Sequence, residues 1–202
     1  LYLSTFVFAA FVAAKPAGHA RLILHAYQWA AFITAVAGIV GYFAMVPGAA
    51  ELFTKFSRAA GTFKDPNVYG PFLVPALLYA LHQGLNRPLS RLLVPLTMMM
   101  FLGLAILLSF SRGAWINFVG AAAMMIVLTF VLTPSAGTRS RIVLLSVAGI
   151  IVMTALLMFL LTLEPVRNLF LDRMTLVKSY DTGERGRFGI QIVASPRHAD
   201  GL

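Results

Sequence analysis

The sequence predicts an all-α integral membrane protein, a polytopic bundle of transmembrane helices, and three observations lead there. Of its 202 residues 59% are hydrophobic and only 11% charged, and the mean hydropathy is +0.85, far from the balance of a soluble domain. Six apolar runs follow one another, most of them close to the roughly twenty residues that cross a bilayer as a helix. The runs are apolar on all sides, whereas the strands of a transmembrane barrel alternate apolar and polar residues over about ten positions.

In chain order the runs cover residues 1–14, 22–46, 71–85, 92–110, 114–133 and 142–163, the first and third being short. Each reads as a transmembrane helix, which makes 1–163 the membrane region and leaves 164–202 as a polar tail. The first run does not read as a signal peptide, because its positive charges follow the apolar stretch instead of preceding it. A chain that opens inside an apolar helix and stops in a polar segment is expected to be an internal piece of a longer protein.

If all six runs cross, residues 15–21, 86–91 and 134–141 share one side, and they hold six Lys and Arg and no acid. Residues 47–70, the Ser111-Arg112-Gly113 link and the tail share the other, with the remaining ten basic and all seven acidic residues. Charge density in short loops governs insertion, so the three compact basic loops are expected in the cytoplasm and the other three elements on the outer face. The net charge of +9 is accounted for by topology and anionic lipid headgroups; no nucleic-acid partner is expected.

On that outer face three motifs stand out. A guanidinium costs at least about 2.5 kcal/mol at the centre of a membrane helix, so Arg112, between two apolar runs, either marks a water-facing end or holds an anion. The stretch "GTFKDPNVYG", residues 61–70, is a turn sequence, with Pro66 fixing its own backbone and pushing Asp65 out of the helical region. It serves either as an interfacial connection or as a substrate-lining loop in which Lys64 and Asn67 donate to phosphate or sugar oxygens. The tail stretch "RMTLVKSYDTGERGRFG", residues 173–189, is either a solvated segment on the headgroups or a site in which Arg185 and Arg187 bind phosphate or carboxylate through two parallel hydrogen bonds.

Absences narrow the chemistry. No Asp or Glu lies inside any run, whereas proton- and cation-coupled transporters carry such residues at mid-membrane. His25 and His82 read as interfacial residues instead of relay groups. There is no cysteine, and no His/carboxylate cluster has metal-ligand spacing, so phosphate chemistry here would lean on arginine, with no metal or cofactor. Small residues at Gly103, Gly113, Gly120 and Ala121 to Ala123 are expected to let the fourth and fifth helices approach closely and hold Arg112 at their junction.

The order of "GTFKDPN", then "SFSRGAW" between two helices, then "YDTGERGRFG" after a further helix resembles the O-antigen ligase and O-antigen polymerase family, over residues 58–189. The resemblance implies a polytopic bacterial inner-membrane glycosyltransferase of about a dozen helices, active on the periplasmic face, the tail being the start of a large periplasmic loop. It implies an undecaprenyl-pyrophosphate-linked glycan as donor and a glycan or glycolipid, lipid A-core or growing polysaccharide, as acceptor. By motif position Arg112 and Arg185 or Arg187 would grip the pyrophosphate, while Lys64, Asn67, Ser111, Asp181 and Glu184 would lie against substrate. The family's histidine on the periplasmic loop falls beyond the last residue, and His198 lies too near the arginine motif to replace it. These 202 residues alone are therefore expected to be inactive, with Asp181 and Glu184 as the nearest candidate bases. A lipid-linked glycan flippase without catalytic activity and a structural subunit anchored by its arginines are the competing classes.

Overall fold

The structure, a computed structural model, describes residues 2–174. Helices dominate it: α1 (Tyr2–Ala14), α2 (Pro16–Tyr42), α3 (Ala49–Phe53), α4 (Pro66–Asn86), α5 (Leu93–Leu108), α6 (Arg112–Leu132), α7 (Ala136–Leu161) and α8 (Glu164–Met174). Between α3 and α4 lies a two-stranded antiparallel hairpin, β1 (Thr54–Lys55) and β2 (Arg58–Ala59), in which Lys55 pairs with Arg58. Its two turn residues, Phe56 and Ser57, both have positive φ, at 53° and 56°. That is the two-residue turn whose twist matches a hairpin, made here without the Asn-Gly sequence that usually signals it.

Local chemistry sets the helix ends. Pro16 opens α2 at its first turn, where the missing N–H costs nothing, and only Lys15 separates α1 from α2. Asp65 caps α4 by accepting from the Asn67 backbone N–H at 2.7 Å, with Pro66 at the first helical position. Ser111 caps α6, its Oγ accepting from the Ala114 N–H at 3.4 Å. Inside α4, Pro71 and Pro75 interrupt the backbone ladder, and the Tyr27 hydroxyl of α2 donates to the carbonyl of Phe72.

The helix bounds differ from the sequence expectation at several places, α2 stopping at Tyr42 instead of residue 46 and α4 starting at Pro66 instead of residue 71. Residues 15–21 are not a loop, because α2 starts at Pro16, six residues early. Residues 134–141 shorten to a three-residue link, with Arg139 and Arg141 inside the first turns of α7. The polar span 47–70 and the start of the tail, expected as irregular chain, contain α3, the hairpin and α8. Of the charges read as loop markers, Arg21, Arg139 and Arg141 sit on helical backbone instead, since a long basic side chain reaches water without ending its helix.

Of these helices, α2, α6 and α7 are long and apolar enough to cross a membrane, with 27, 21 and 26 residues, or about 40, 31 and 39 Å at 1.5 Å per residue. The apolar α5 has 16 residues and α1 only 13, about 24 and 20 Å, against a hydrocarbon core of about 30 Å. In α4 prolines and the polar Tyr69, His82 and Gln83 dilute the apolar run.

The core sits where α2, α4 and α5 meet. Ala31, Ala35 and Ile39 of α2 face Tyr69, Leu73 and Leu77 of α4, which also packs on Leu102, Ala105 and Ile106 of α5. A buried side-chain amide pair crosses this interface, the Gln83 side-chain N–H donating to Gln28 Oε1 at 3.1 Å, the kind of bond that fixes register between apolar helices. By contrast only 6% of the most apolar stretch of α6, and likewise of α7, is buried, so both present apolar faces outward. The small residues do not bring α5 and α6 together. A Cβ added to Gly103 would stand 3.3 Å from the Met153 thioether of α7, and nothing lies within 4 Å of where one would stand on Gly113 or Gly120.

Short links between α4, α5, α6 and α7 make successive helices antiparallel. The hairpin, the start of α4, the turn between α5 and α6, and α8 therefore gather at one end of the molecule. At the opposite end, Arg141 of α7 donates to the carbonyl oxygens of Arg87 and Gly84 at the close of α4.

Candidate functional site

The site is built on Arg58, the first residue of β2, which is 2% exposed. Its Nε donates to the Ser109 carbonyl at 2.7 Å and its Nη2 to Asn67 Oδ1 at 2.9 Å. One guanidinium thus joins the Lys64-Asp65-Pro66-Asn67 loop to the Ser109-Phe110-Ser111-Arg112 turn, across 42 residues of sequence between Asn67 and Ser109. Hydrogen bonds from a charged donor are roughly twice as strong as neutral ones, and inside a protein they are less screened.

The loop is held from its other side as well. The Thr62 N–H donates to Thr34 Oγ1 of α2 at 3.1 Å, and the two threonine hydroxyls lie 2.9 Å apart. Gly61, at φ +55°, sits so close to α2 and α4 that a Cβ there would fall 2.6 Å from both Thr34 Oγ1 and a ring carbon of Tyr69. A left-handed glycine in close contact is therefore what the "GTF" turn requires.

The turn between α5 and α6 is equally constrained. The Ser109 Oγ donates to the Ile106 carbonyl at 2.6 Å and accepts from the Ser111 N–H at 3.3 Å. Phe110 adopts φ +47°, a backbone that L side chains rarely take and that costs about 1 kcal/mol or more. The Trp115 indole N–H donates to the same Ile106 carbonyl at 3.0 Å, and its ring stacks on Phe170 of α8 at 5.8 Å. Gly70 of α4 lies against this turn, where a Cβ would stand 2.8 Å from both Ser109 Oγ and Ala114 Cβ.

Of the residues singled out in the sequence, Lys64, Asn67, Ser111 and Arg112 gather at this end. Ser111 is buried as the α6 cap, whereas Lys64, Asn67 and Arg112 are exposed. Arg112 occupies the first turn of α6, whose unpaired N–H groups carry partial positive charge. Arg185, Arg187, Asp181 and Glu184, with His198, lie outside the described residues. His25 is paired with the Arg21 carbonyl at 2.7 Å and the Tyr79 hydroxyl at 3.2 Å, and His82 lies 3.2 Å from the Asn86 side-chain nitrogen. Among the described residues no three His, Asp or Glu side chains converge as metal ligands. Arg58 escaped the sequence reading because a single arginine between Ser57 and Ala59 belongs to no motif and carries no spacing signal.

Beside the turn, α4, α5, α6 and α7 enclose a groove of about 380 Å³, walled almost wholly by apolar side chains such as Leu77, Met99, Phe118 and Met153, with Trp115 at its Arg112 end. From Trp115 to Ile126 the α6 wall runs 11 residues, about 16 Å, which is close to half of a bilayer core of about 30 Å. Arg112 lies three residues before Trp115, the groove residue nearest to it in sequence. No protein-family model, curated protein or solved structure matches the chain.

Proposed function

We propose that the chain is the membrane region of a polytopic bacterial inner-membrane glycosyltransferase of the O-antigen ligase or polymerase kind, its six apolar runs crossing the bilayer and its site facing the periplasm. The observation that supports this reading most is the tie from Arg58 to both the Asn67 loop and the Ser109 turn, which puts two of the three family-like motifs at one end, next to an apolar groove. In this reading the donor is a glycan on undecaprenyl pyrophosphate, and the acceptor is a lipid A-core sugar or a growing polysaccharide.

The reaction breaks the bond between the donor sugar's anomeric carbon and the pyrophosphate oxygen while an acceptor hydroxyl adds to that carbon. Negative charge grows on the departing pyrophosphate. Arginines fixed before the reaction lower that barrier more than groups that must reorganise. Arg112 from the α6 turn supplies one, and Arg185 or Arg187 supplies a second, with Lys64 and Asn67 as further contacts and the buried Ser111 capping the helix that carries Arg112. The hydroxyl proton passes to a base on the tail or beyond it, with Asp181 and Glu184 the candidates within this sequence.

Deleting the gene in its own organism tests the reading. Loss of polymeric or core-linked surface polysaccharide is expected, with lipid-linked glycan accumulating on the periplasmic leaflet, where an added impermeant glycosidase digests it. Accumulation confined to the cytoplasmic leaflet would instead identify a flippase, and unchanged polysaccharide would overturn both.

A further inference from the structure

We infer that Arg58 is the positioning residue of this site, setting where Arg112 stands relative to Asn67 without itself touching substrate. Its side chain is buried while those of Asn67 and Arg112 are exposed, so it lies behind the surface that they share. The inference rests on treating Asn67 and Arg112 as one site.

The hydrogen bonds say how it works. In a guanidinium the Nε and one terminal N–H point from a single edge of a rigid plane, and here that edge meets two acceptors, the Ser109 carbonyl at 2.7 Å and Asn67 Oδ1 at 2.9 Å. The two acceptors must therefore stand side by side. Ser109 closes α5, and only Phe110 and Ser111 separate it from Arg112 at the start of α6. Phe110 is held in a left-handed conformation and Ser111 caps α6, so fixing the Ser109 carbonyl fixes the direction in which α6 and Arg112 leave the turn. On the other side Asn67 sits in the first turn of α4, its backbone N–H bound by Asp65. Gly70, three residues on, lets α4 touch the same turn.

A lysine here would keep the buried charge but present a single compact ammonium, which cannot match two adjacent acceptors along one edge. Charge alone and geometry make different predictions. If Arg58 only neutralises its surroundings, Arg58→Lys restores the native arrangement. If it acts as a two-point clamp, the lysine variant leaves the loop and the turn uncoupled.

The test is a distance measured by electron paramagnetic resonance between spin labels on Lys64→Cys and Gly113→Cys, in a chain with no cysteine of its own. Lys64 is exposed and a side chain at Gly113 meets nothing within 4 Å, so both positions accept a label. With Arg58 in place a narrow distribution is expected, and Arg58→Lys should at least double its width. Asn67→Leu removes one acceptor from an exposed position and should broaden it similarly, whereas Asn67→Asp keeps an oxygen there and should leave it narrow. Asn67→Leu keeps the test decisive even where an Arg58 variant fails to fold. In the unlabelled whole gene product Arg58→Lys should lower the turnover rate about 100-fold, as a misplacement of about 1 Å can, with the Michaelis constant for donor changed less than threefold. Narrow distributions in both Arg58→Lys and Asn67→Leu would overturn the inference whether or not the protein transfers glycan. Broadened distributions in a whole gene product that shows no transfer activity would keep the clamp and remove the proposed function.

Discussion

Arg112→Lys is expected to leave the protein at its normal membrane level and to lower glycan transfer about 100-fold, the scale of losing one fixed donor at a developing charge. Arg112 sits in the first turn of α6 and is exposed. As a topological anchor it could be exchanged for lysine without harm, since both side chains carry one positive charge and both reach the interface. A pyrophosphate held by two parallel hydrogen bonds makes the exchange costly, because an ammonium cannot reproduce the planar fork. Arg112→Ala should do no better than lysine. Surface polysaccharide by gel, in cells lacking the native gene, reads transfer, and an immunoblot of membranes reads abundance. Full transfer by the lysine variant would make Arg112 an anchor and leave the phosphate to Arg185 and Arg187.

Gly70→Leu should remove the folded protein from the membrane. The first added carbon already falls 2.8 Å from Ala114 Cβ and Ser109 Oγ and 3.2 Å from Ser111 Cβ, so no rotamer of the longer side chain avoids the clash. Ala114 is fully buried, and the Ser109 hydroxyl is occupied by the Ile106 carbonyl, so neither neighbour can yield cheaply. Gly70→Ala should cost about 1–3 kcal/mol, as overpacking does. Gly84 lies in the same helix and provides the control, because a Cβ there meets only the Met99 thioether at an ordinary 3.7 Å. Gly84→Ala should be neutral or stabilising by about 0.5–1 kcal/mol. Membrane abundance and thermal unfolding in detergent compare the two sites, and equal stability of Gly70→Leu and Gly84→Ala would refute the close contact between α4 and the α6 turn.

The apolar helices are legible because hydropathy records directly what a bilayer or a core accepts, and the alternation of short links is enough to put Lys64, Asn67, Ser111 and Arg112 at one end. Helix ends were less legible. Arg21, Arg139 and Arg141 read as loop residues by their charge, yet Pro16 and the Pro134-Ser135 pair are the true start signals, and both helices begin there. The hairpin was hidden because its strands are two residues long and its turn is made by Phe56 and Ser57, so neither alternation nor turn composition marks it. With the hairpin went Arg58. A buried arginine is recognisable only from the acceptors around it, and one of these, the Ser109 carbonyl, lies 51 residues away in sequence. The expectation about small residues failed for a related reason: glycine and alanine permit close packing, but which helix comes close is decided elsewhere, here by Gly70 and Ala114 joining α4 to α6.

The most direct measurement is labelling of a single cysteine at Gly113→Cys by a membrane-impermeant thiol reagent in intact spheroplasts, with Ser135→Cys as the opposite-end control. Gly113 follows Arg112 in the first turn of α6 and is exposed, and Ser135 precedes α7 at the other end and is exposed too. The account predicts that Gly113→Cys reacts from outside, that Ser135→Cys reacts only after permeabilisation, and that added undecaprenyl pyrophosphate slows the first reaction at least tenfold and the second not at all. Labelling of Gly113→Cys only after permeabilisation, or at a rate indifferent to the lipid pyrophosphate, would contradict it.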